Sequence, residues 1–199
     1  MTARYDPEWI ASMLSEGRAQ RAAPHDVLSE AGLTTGMTVV DIGCGPGFFT
    51  IPAAQIVGPP GHVFAVDVEA TMLAYVEDRA DDMRLENITA VLSGGHHIPL
   101  PDACADLVIC ALLIHDVPLA ARPALIAEAV RLCGSGGAIL IIEWQPDGDQ
   151  PRWNRLSPET VHVLLLEAGL RVEDSSPLGS AVVATHEEGM YRVLARKTS

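Results

Sequence analysis

The chain has 199 residues, with 13 Lys and Arg against 26 Asp and Glu, for a formal charge of −13. That length suits one domain, or one domain with an N-terminal extension, and is enough to bury a sizeable core. Apolar residues at 48% and charged residues at 20% exclude intrinsic disorder, and the acidic balance argues against nucleic acid or an anionic membrane as partner, since both need local Lys and Arg density.

The first 33 residues read as helical pieces. Trp9, Ile10, Met13 and Leu14 share a face at helical spacing, with Gly17 as a stop, and a second short helix is expected from Pro24 to Gly32. No apolar run of signal-peptide type opens the sequence. From Thr38 the pattern changes to short β-rich runs alternating with amphipathic stretches. The runs are Thr38 to Ile42, His62 to Val68, Ile88 to Leu92, Ala105 to Leu113 and Ala138 to Trp144. Helical faces are expected within Phe48 to Val57, at Met72, Leu73, Val76 and Ala80, and at Leu125, Ile126, Ala129, Val130 and Cys133. Ser157-Pro158 reads as an N-cap and first helical position, with Val161, Leu164, Leu165 and Ala168 buried and Gly169 as the stop.

The tail offers Arg171-Val172-Glu173 and two apolar runs, Ser180 to Thr185 and Met190 to Ala195, which read as a hairpin turning at His186-Glu187-Glu188-Gly189. Near-continuous apolar strands alternating with helices mean a parallel sheet covered on both faces. The expected fold is α/β: a doubly wound three-layer sandwich with a mostly parallel sheet and an antiparallel C-terminal edge hairpin. Residues 1–33 would form a helical arm, able to act as a lid, and residues 34–199 the α/β domain.

Cysteines 44, 104, 110 and 133 form no C-x-x-C pair, which suits reduced, buried thiols rather than a disulfide framework. The longest apolar stretch, Leu107 to Ile114, is eight residues, far short of a membrane span. A cytoplasmic protein is expected.

In a doubly wound sheet the ligand sits outside the carboxyl ends of the strands. Here that place holds Asp41-Ile42-Gly43-Cys44-Gly45-Pro46-Gly47. Alternate glycines let the main chain turn sharply and approach a ligand closely, and the following helix aims free N–H groups at the same spot. Asp67 ends the next strand, 24 residues beyond Gly43, where an acid accepts both ribose hydroxyls. Together they point to an adenosine-type ligand. The spacing is G-x-G-x-G rather than the dinucleotide G-x-G-x-x-G, and no P-loop Lys follows.

The stretch Val39 to Gly47 resembles motif I of the class I S-adenosylmethionine-dependent methyltransferases. Val63 to Val68 resembles the family's ribose-binding strand, Pro99-Leu100-Pro101-Asp102 through Val108 its approach to strand four, Leu113-Ile114-His115-Asp116 the turn after that strand, and Arg131 to Gly137 its entry into strand five. The resemblance covers about residues 36–145 and includes ubiquinone- and menaquinone-biosynthesis-like small-molecule enzymes. It implies S-adenosyl-L-methionine as cofactor, with Gly43, Gly45 and Gly47 under its methionine part and ribose. Asp67 would bind the ribose hydroxyls and Val68 would lie against the adenine face. Asp41 would hold the loop or contact the amino group of the methionine part. Where the family often carries an acid that reads the adenine edge, this sequence has Gly94, so main chain, Ser93 or a histidine would take that role.

Methyl transfer needs positioning and, for O- or N-acceptors, a base within reach of the acceptor proton. The resemblance places His115 on the loop facing the methyl group, which makes it the candidate base; Asp116, His96, His97, Glu143 and Trp144 are expected nearby, the last two lining a pocket. Adjacent His96 and His97 point apart and have no completing ligand set, so no metal is expected. Cys44 reads as a packing residue rather than a nucleophile, and Trp153, between Arg152 and Arg155, falls in a loop able to shape a substrate pocket. The expected function is methyl transfer to a small-molecule acceptor. The alternatives are a non-catalytic module that binds S-adenosylmethionine or S-adenosylhomocysteine, and an NAD(P)-dependent oxidoreductase.

Overall fold

A computed structural model describes residues 10, 13–15, 22–95, 97–146, 154–178 and 189–198. Helix α1 (Pro24–Glu30) leads into β1 (Thr38–Ile42), α2 (Thr50–Val57), β2 (His62–Asp67), α3 (Ala70–Met83) and β3 (Ile88–Leu92). The chain then forms β4 (Ala105–Ala111), two short 3₁₀ turns, α4 (Arg122–Leu132), β5 (Cys133–Trp144), α5 (Pro158–Glu167), β6 (Leu170–Leu178) and β7 (Met190–Lys197). The seven strands form one sheet in the order β3-β2-β1-β4-β5-β7-β6. All pairs from β3 to β5 are parallel, and β7 runs antiparallel between β5 and β6.

The period-two alternation of the strands divides the core into two layers. Val40, Val108, Cys110, Ile139 and Ile141 face α4 and α5, where Ile126, Ala129, Val161 and Leu165 are buried against them. Val39, Val63, Leu107, Leu140 and Ile142 face the other way, onto Val27 and Leu28 of α1 and Ala53 and Val57 of α2. Helix α3 packs Leu73 and Val76 near Ala65 on that second face. This is the doubly wound α/β sandwich the sequence implies. The order in which strands are added reverses between β1 and β4, so the connections leaving those two parallel strands diverge and open a crevice.

Three expectations shift. The partner of β7 in the C-terminal hairpin is Leu170–Leu178, not Ser180 to Thr185, because β5 and β6 already occupy both edges of β7; residues 179–188, including all of the expected turn but Gly189, lie outside the described residues. Cys133 is not on a helix: it caps α4 and opens β5, which is five residues longer than its apolar run because the Gly134–Gly137 stretch extends as strand. Strand β4 stops at Ala111, because Leu112 turns into the left-handed region at φ 53°. Of the N-terminal arm, Ile10 is buried, Leu14 packs on the second core layer, and Met13 reaches the crevice; Trp9 and Gly17 lie outside the described residues.

Candidate cofactor and active site

A cleft of about 480 Å³ opens at the carboxyl ends of β1, β2 and β4. Its floor is the glycine loop. Gly43, Gly45 and Gly47 have φ of 70°, 52° and 82°, a region in which side chains other than glycine are strained. Gly43 and Gly45 line the cleft, and a Cβ on Gly43 would come within 2.7 Å of the Leu113 side chain. Gly47 does not line the cleft. A Cβ there would meet Val76 Cγ2 at 3.1 Å, and Arg79 donates to the carbonyl of Pro46 beside it at 2.6 Å, so the third glycine seats the loop on α3.

Asp67 stands where β2 ends. Its Oδ2 accepts the Gly45 N–H at 2.9 Å and its Oδ1 accepts the Glu69 N–H at 2.9 Å, which fixes the carboxylate and ties the glycine loop to the next strand. Each carboxylate oxygen keeps a further lone pair for a ligand hydroxyl. Val68, next in sequence, exposes 57% of its surface at the cleft. Ser93 lines the cleft too, its backbone N–H donating to the Asp67 carbonyl at 2.9 Å. Gly94 does not line it; Gly95 does, held by a 3.1 Å bond from its N–H to Ser93 Oγ.

Asp41 is buried away from the cleft, and its Oδ2 accepts from the Thr50 hydroxyl at 2.6 Å. Of the two roles the resemblance implied for it, the geometry matches loop holding, since it joins the end of β1 to the start of α2. Burial pushes its carboxyl up to about 7; the Thr50 bond opposes this and the charge of Asp67 adds to it. Cys44 is buried in the same loop, its thiol pushed up by burial, which suits a packing residue.

The far wall comes from the β4 corner and α4. Leu112, Leu113 and Asp116 line it, as does Glu128 of α4. Glu128 holds Arg131 and the Ile98 N–H at 2.6 to 2.9 Å, and Arg131 clamps the segment before β4 through the carbonyls of Ile98 and Leu100. The bond to Arg131 takes the Glu128 carboxyl down to about 2. His97 pairs with Glu128 at 3.1 Å; His96 lies outside the described residues. Among the described residues no group of three or more His, Cys, Asp or Glu is arranged to hold a metal ion.

His115 sits beside the cleft rather than in its wall. Its Nδ1 lies 2.7 Å from Glu143 Oε2, and its Nε2 3.7 Å from Asp116 Oδ2. Glu143 does not line the cleft as expected: its side chain is fully buried at the end of β5. Trp144 is half-buried beneath the Arg155 guanidinium, 5.5 Å from its ring centre; Trp153 lies outside the described residues. Among the residues that motif reading missed are Glu69, Gly95, Ile98, Leu112 and Glu128. Glu128 reads locally only as an i,i+3 partner of Arg131, since its contact with the Ile98 N–H spans 30 residues.

The cleft wall carries the carboxylates of Asp67, Glu69, Asp116 and Glu128 and, among its described residues, no Lys, Arg or His. Glu128 is already paired with Arg131, and the carboxylates of Asp67 and Asp116 on this wall favour a ligand with a positive centre. A carboxylate with free lone pairs, an exposed aliphatic face beside it and a loop with no room for a Cβ thus stand together at this cleft.

Comparison with known proteins gives the same class. The sequence model described as "Methyltransferase domain" matches residues 39–137. The chain is 32% identical over 136 residues to the ubiquinone/menaquinone biosynthesis C-methyltransferase UbiE of Methylobacterium nodulans, covering 68% of this chain and 48% of that protein. It is 27% identical over 157 residues to the arsenite methyltransferase of Halobacterium salinarum, covering 79% and 39%. The chain thus spans half or less of the length of these two relatives. A solved S-adenosylmethionine-dependent methyltransferase from Aquifex aeolicus superposes with a TM-score of 0.83 at 29% identity, over 97% of this chain and 99% of that one. The chain belongs to the class I S-adenosylmethionine-dependent methyltransferases. That membership sets aside the NAD(P)-dependent oxidoreductase alternative.

Proposed function

We propose that this chain transfers the methyl group of S-adenosylmethionine to a small organic molecule bound beside the cleft. The observation that carries this reading is Asp67, fixed by two backbone N–H groups with lone pairs left toward the cleft, next to a glycine loop that excludes side chains. Asp67 would hold the ribose, Val68 and Ile98 the adenine faces, Ser93 and Gly95 its edge, and Gly43 and Gly45 the methionine part. The bound cofactor supplies an electrophilic methyl on a positive sulfur, and the acidic wall suits that charge better than the neutral thioether left afterwards. Met13, which approaches within 3.2 Å of where a Gly45 Cβ would be, supports a covering role for the N-terminal arm. Closure by the arm would exclude water from the transfer.

The acceptor is read as organic rather than arsenite. Cys44, Cys110 and Cys133 are buried, Cys104 lies before β4, and none lines the cleft, so no set of thiols converges on a soft metalloid.

Isothermal titration tests the cofactor seat. S-adenosylmethionine and S-adenosylhomocysteine are expected to bind, and Asp67→Ala to weaken both at least tenfold, the loss of a hydrogen bond to a charged group. Undiminished binding by that variant removes the ribose assignment. Turnover of labelled donor across a panel of phenols, amines and carboxylates tests the transfer. Tight cofactor binding with no methylated product from any of them would favour the non-catalytic module instead.

A further inference from the structure

We propose that Glu143 is a positioning residue for His115: it holds the imidazole proton on Nδ1 and leaves Nε2 as the base for the acceptor, an inference that rests on the methyl-transfer reading above. A carboxylate with no exposed surface needs a hydrogen-bond donor on each oxygen. Glu143 Oε1 accepts the Ile114 N–H at 2.7 Å and the His115 N–H at 3.2 Å, and Oε2 faces His115 Nδ1 at 2.7 Å. The backbone therefore takes one oxygen, and the imidazole takes the other. An ionised carboxylate only accepts, so Nδ1 must donate and the neutral ring must keep its lone pair on Nε2.

The mounting is stiff. Leu112, in its left-handed conformation, donates its N–H to the Ile142 carbonyl at 2.7 Å, one residue before Glu143. The turn carrying His115 is thus pinned to the end of β5 by the N–H groups of Leu112, Ile114 and His115 as well as by the ring. A role in shaping the turn alone would need only the backbone bonds. The second oxygen, committed to the ring, is what that role leaves unexplained.

The charged groups facing His115 are Glu143 from β5, Asp116 from its own turn and Arg155 from the segment after β5. Tyr191 of β7 pairs opposite Glu143, but its hydroxyl donates to the Leu156 carbonyl at 2.8 Å. Burial works to lower the His115 pKa, but the bond and charge of Glu143, with the charge of Asp116, outweigh it and raise the ring above its usual 6.5. Asp116 lines the cleft and stands 3.7 Å from Nε2, placed to steady the imidazolium once it forms. In the step itself the acceptor's O–H or N–H bond breaks and its proton goes to Nε2. The pair left on the acceptor forms the new bond to carbon, directly or through a conjugated ring, and the pair of the broken carbon–sulfur bond stays on sulfur.

The deciding measurement is the ring tautomer, read by ¹H–¹⁵N NMR of histidine-labelled protein with and without S-adenosylhomocysteine. In the wild type at alkaline pH, His115 is expected with Nδ1 protonated and Nε2 bare. In Glu143→Gln the amide oxygen must still serve the two backbone N–H groups, so its NH₂ is turned to Nδ1 and the proton moves to Nε2. That variant is expected to keep its cofactor affinity while kcat falls a hundredfold or more with any phenol or amine that the wild type methylates. Its rate should also lose the wild type's rise with pH through the His115 ionisation. His115→Asn is expected to lose a similar factor, and the double variant no more than either. A wild-type ring protonated on Nε2 overturns the proposal, as does a Glu143→Gln protein with the switched tautomer and an unchanged rate. Failure of the wild type to bind S-adenosylmethionine would instead overturn the methyl-transfer reading and leave the tautomer result standing.

Discussion

Asp67 and Glu143 do the same local task at the carboxyl ends of two parallel strands of the sheet, with opposite results. Each carboxylate closes a strand, β2 or β5, and each gathers two backbone N–H groups, tying down the loop that follows the neighbouring strand, β1 or β4. Asp67 does so at the cleft, with lone pairs left over, so the tie also presents an acceptor to the cleft. Glu143 does so with no exposed surface, and its remaining capacity goes to His115. The same chemistry gives a binding group where water and ligand reach it, and a support for another side chain where they do not.

That contrast can be broken by truncation. Glu143→Ala leaves the buried Ile114 N–H and the partly buried His115 N–H and imidazole without an acceptor, and is expected to cost about 3 kcal/mol or more in urea unfolding. Asp67→Ala, whose donors stand beside the open cleft, should cost about 1 kcal/mol while losing cofactor affinity. Equal losses of stability would mean that exposure does not separate the two sites.

The glycine loop sharpens the comparison at the level of backbone. Gly43→Ala combines a left-handed φ with a 2.7 Å approach to Leu113 and is expected to cost about 2 to 3 kcal/mol and to block the cleft. Gly136→Ala, with φ of 73° but open space around it, should cost about 1 kcal/mol and leave cofactor binding unchanged.

pH separates the carboxylates in a different way. An unfolded chain releases the Asp41 proton near 3.8 while the folded loop keeps it to about 7. The stability tied to that proton is therefore full below 3.8 and is lost as pH rises to about 7. Asp41→Asn should grow more stable relative to wild type over that window and hold a constant difference above it, measured by unfolding from pH 4 to 8. The His115 pair has the same sign at a higher pH: its contribution is full below 6.5 and fades as pH rises through the raised folded value. Glu143→Gln should flatten that decline; an unchanged slope would mean that Glu143 does not hold the ring's charge.

Local order carried much of this protein. Strand and helix periodicity fixed the α/β class, and the G-x-G-x-G turn followed by Asp67 at the tip of the next strand marked where the cleft opens, because turns and strand ends are determined within a few residues. The hairpin pairing was misread for the same reason: the runs at 180–185 and 190–195 are adjacent in sequence, yet β7 takes its edges from β5 and from residues 170–178. His115 was visible as a candidate, but Glu143 was not visible as its support, since the two are 28 residues apart. Only parallel pairing of β4 with β5 puts the end of one strand under the turn of the other. The acidic composition that opened the reading was also unresolved by sequence. The fold sorts those carboxylates by solvent access, with Asp67 open to a ligand, Asp41 buried beneath the glycine loop and Glu143 buried beneath a histidine. Burial decides what a carboxylate can do, and burial is a property of the packed sheet rather than of the chain's order.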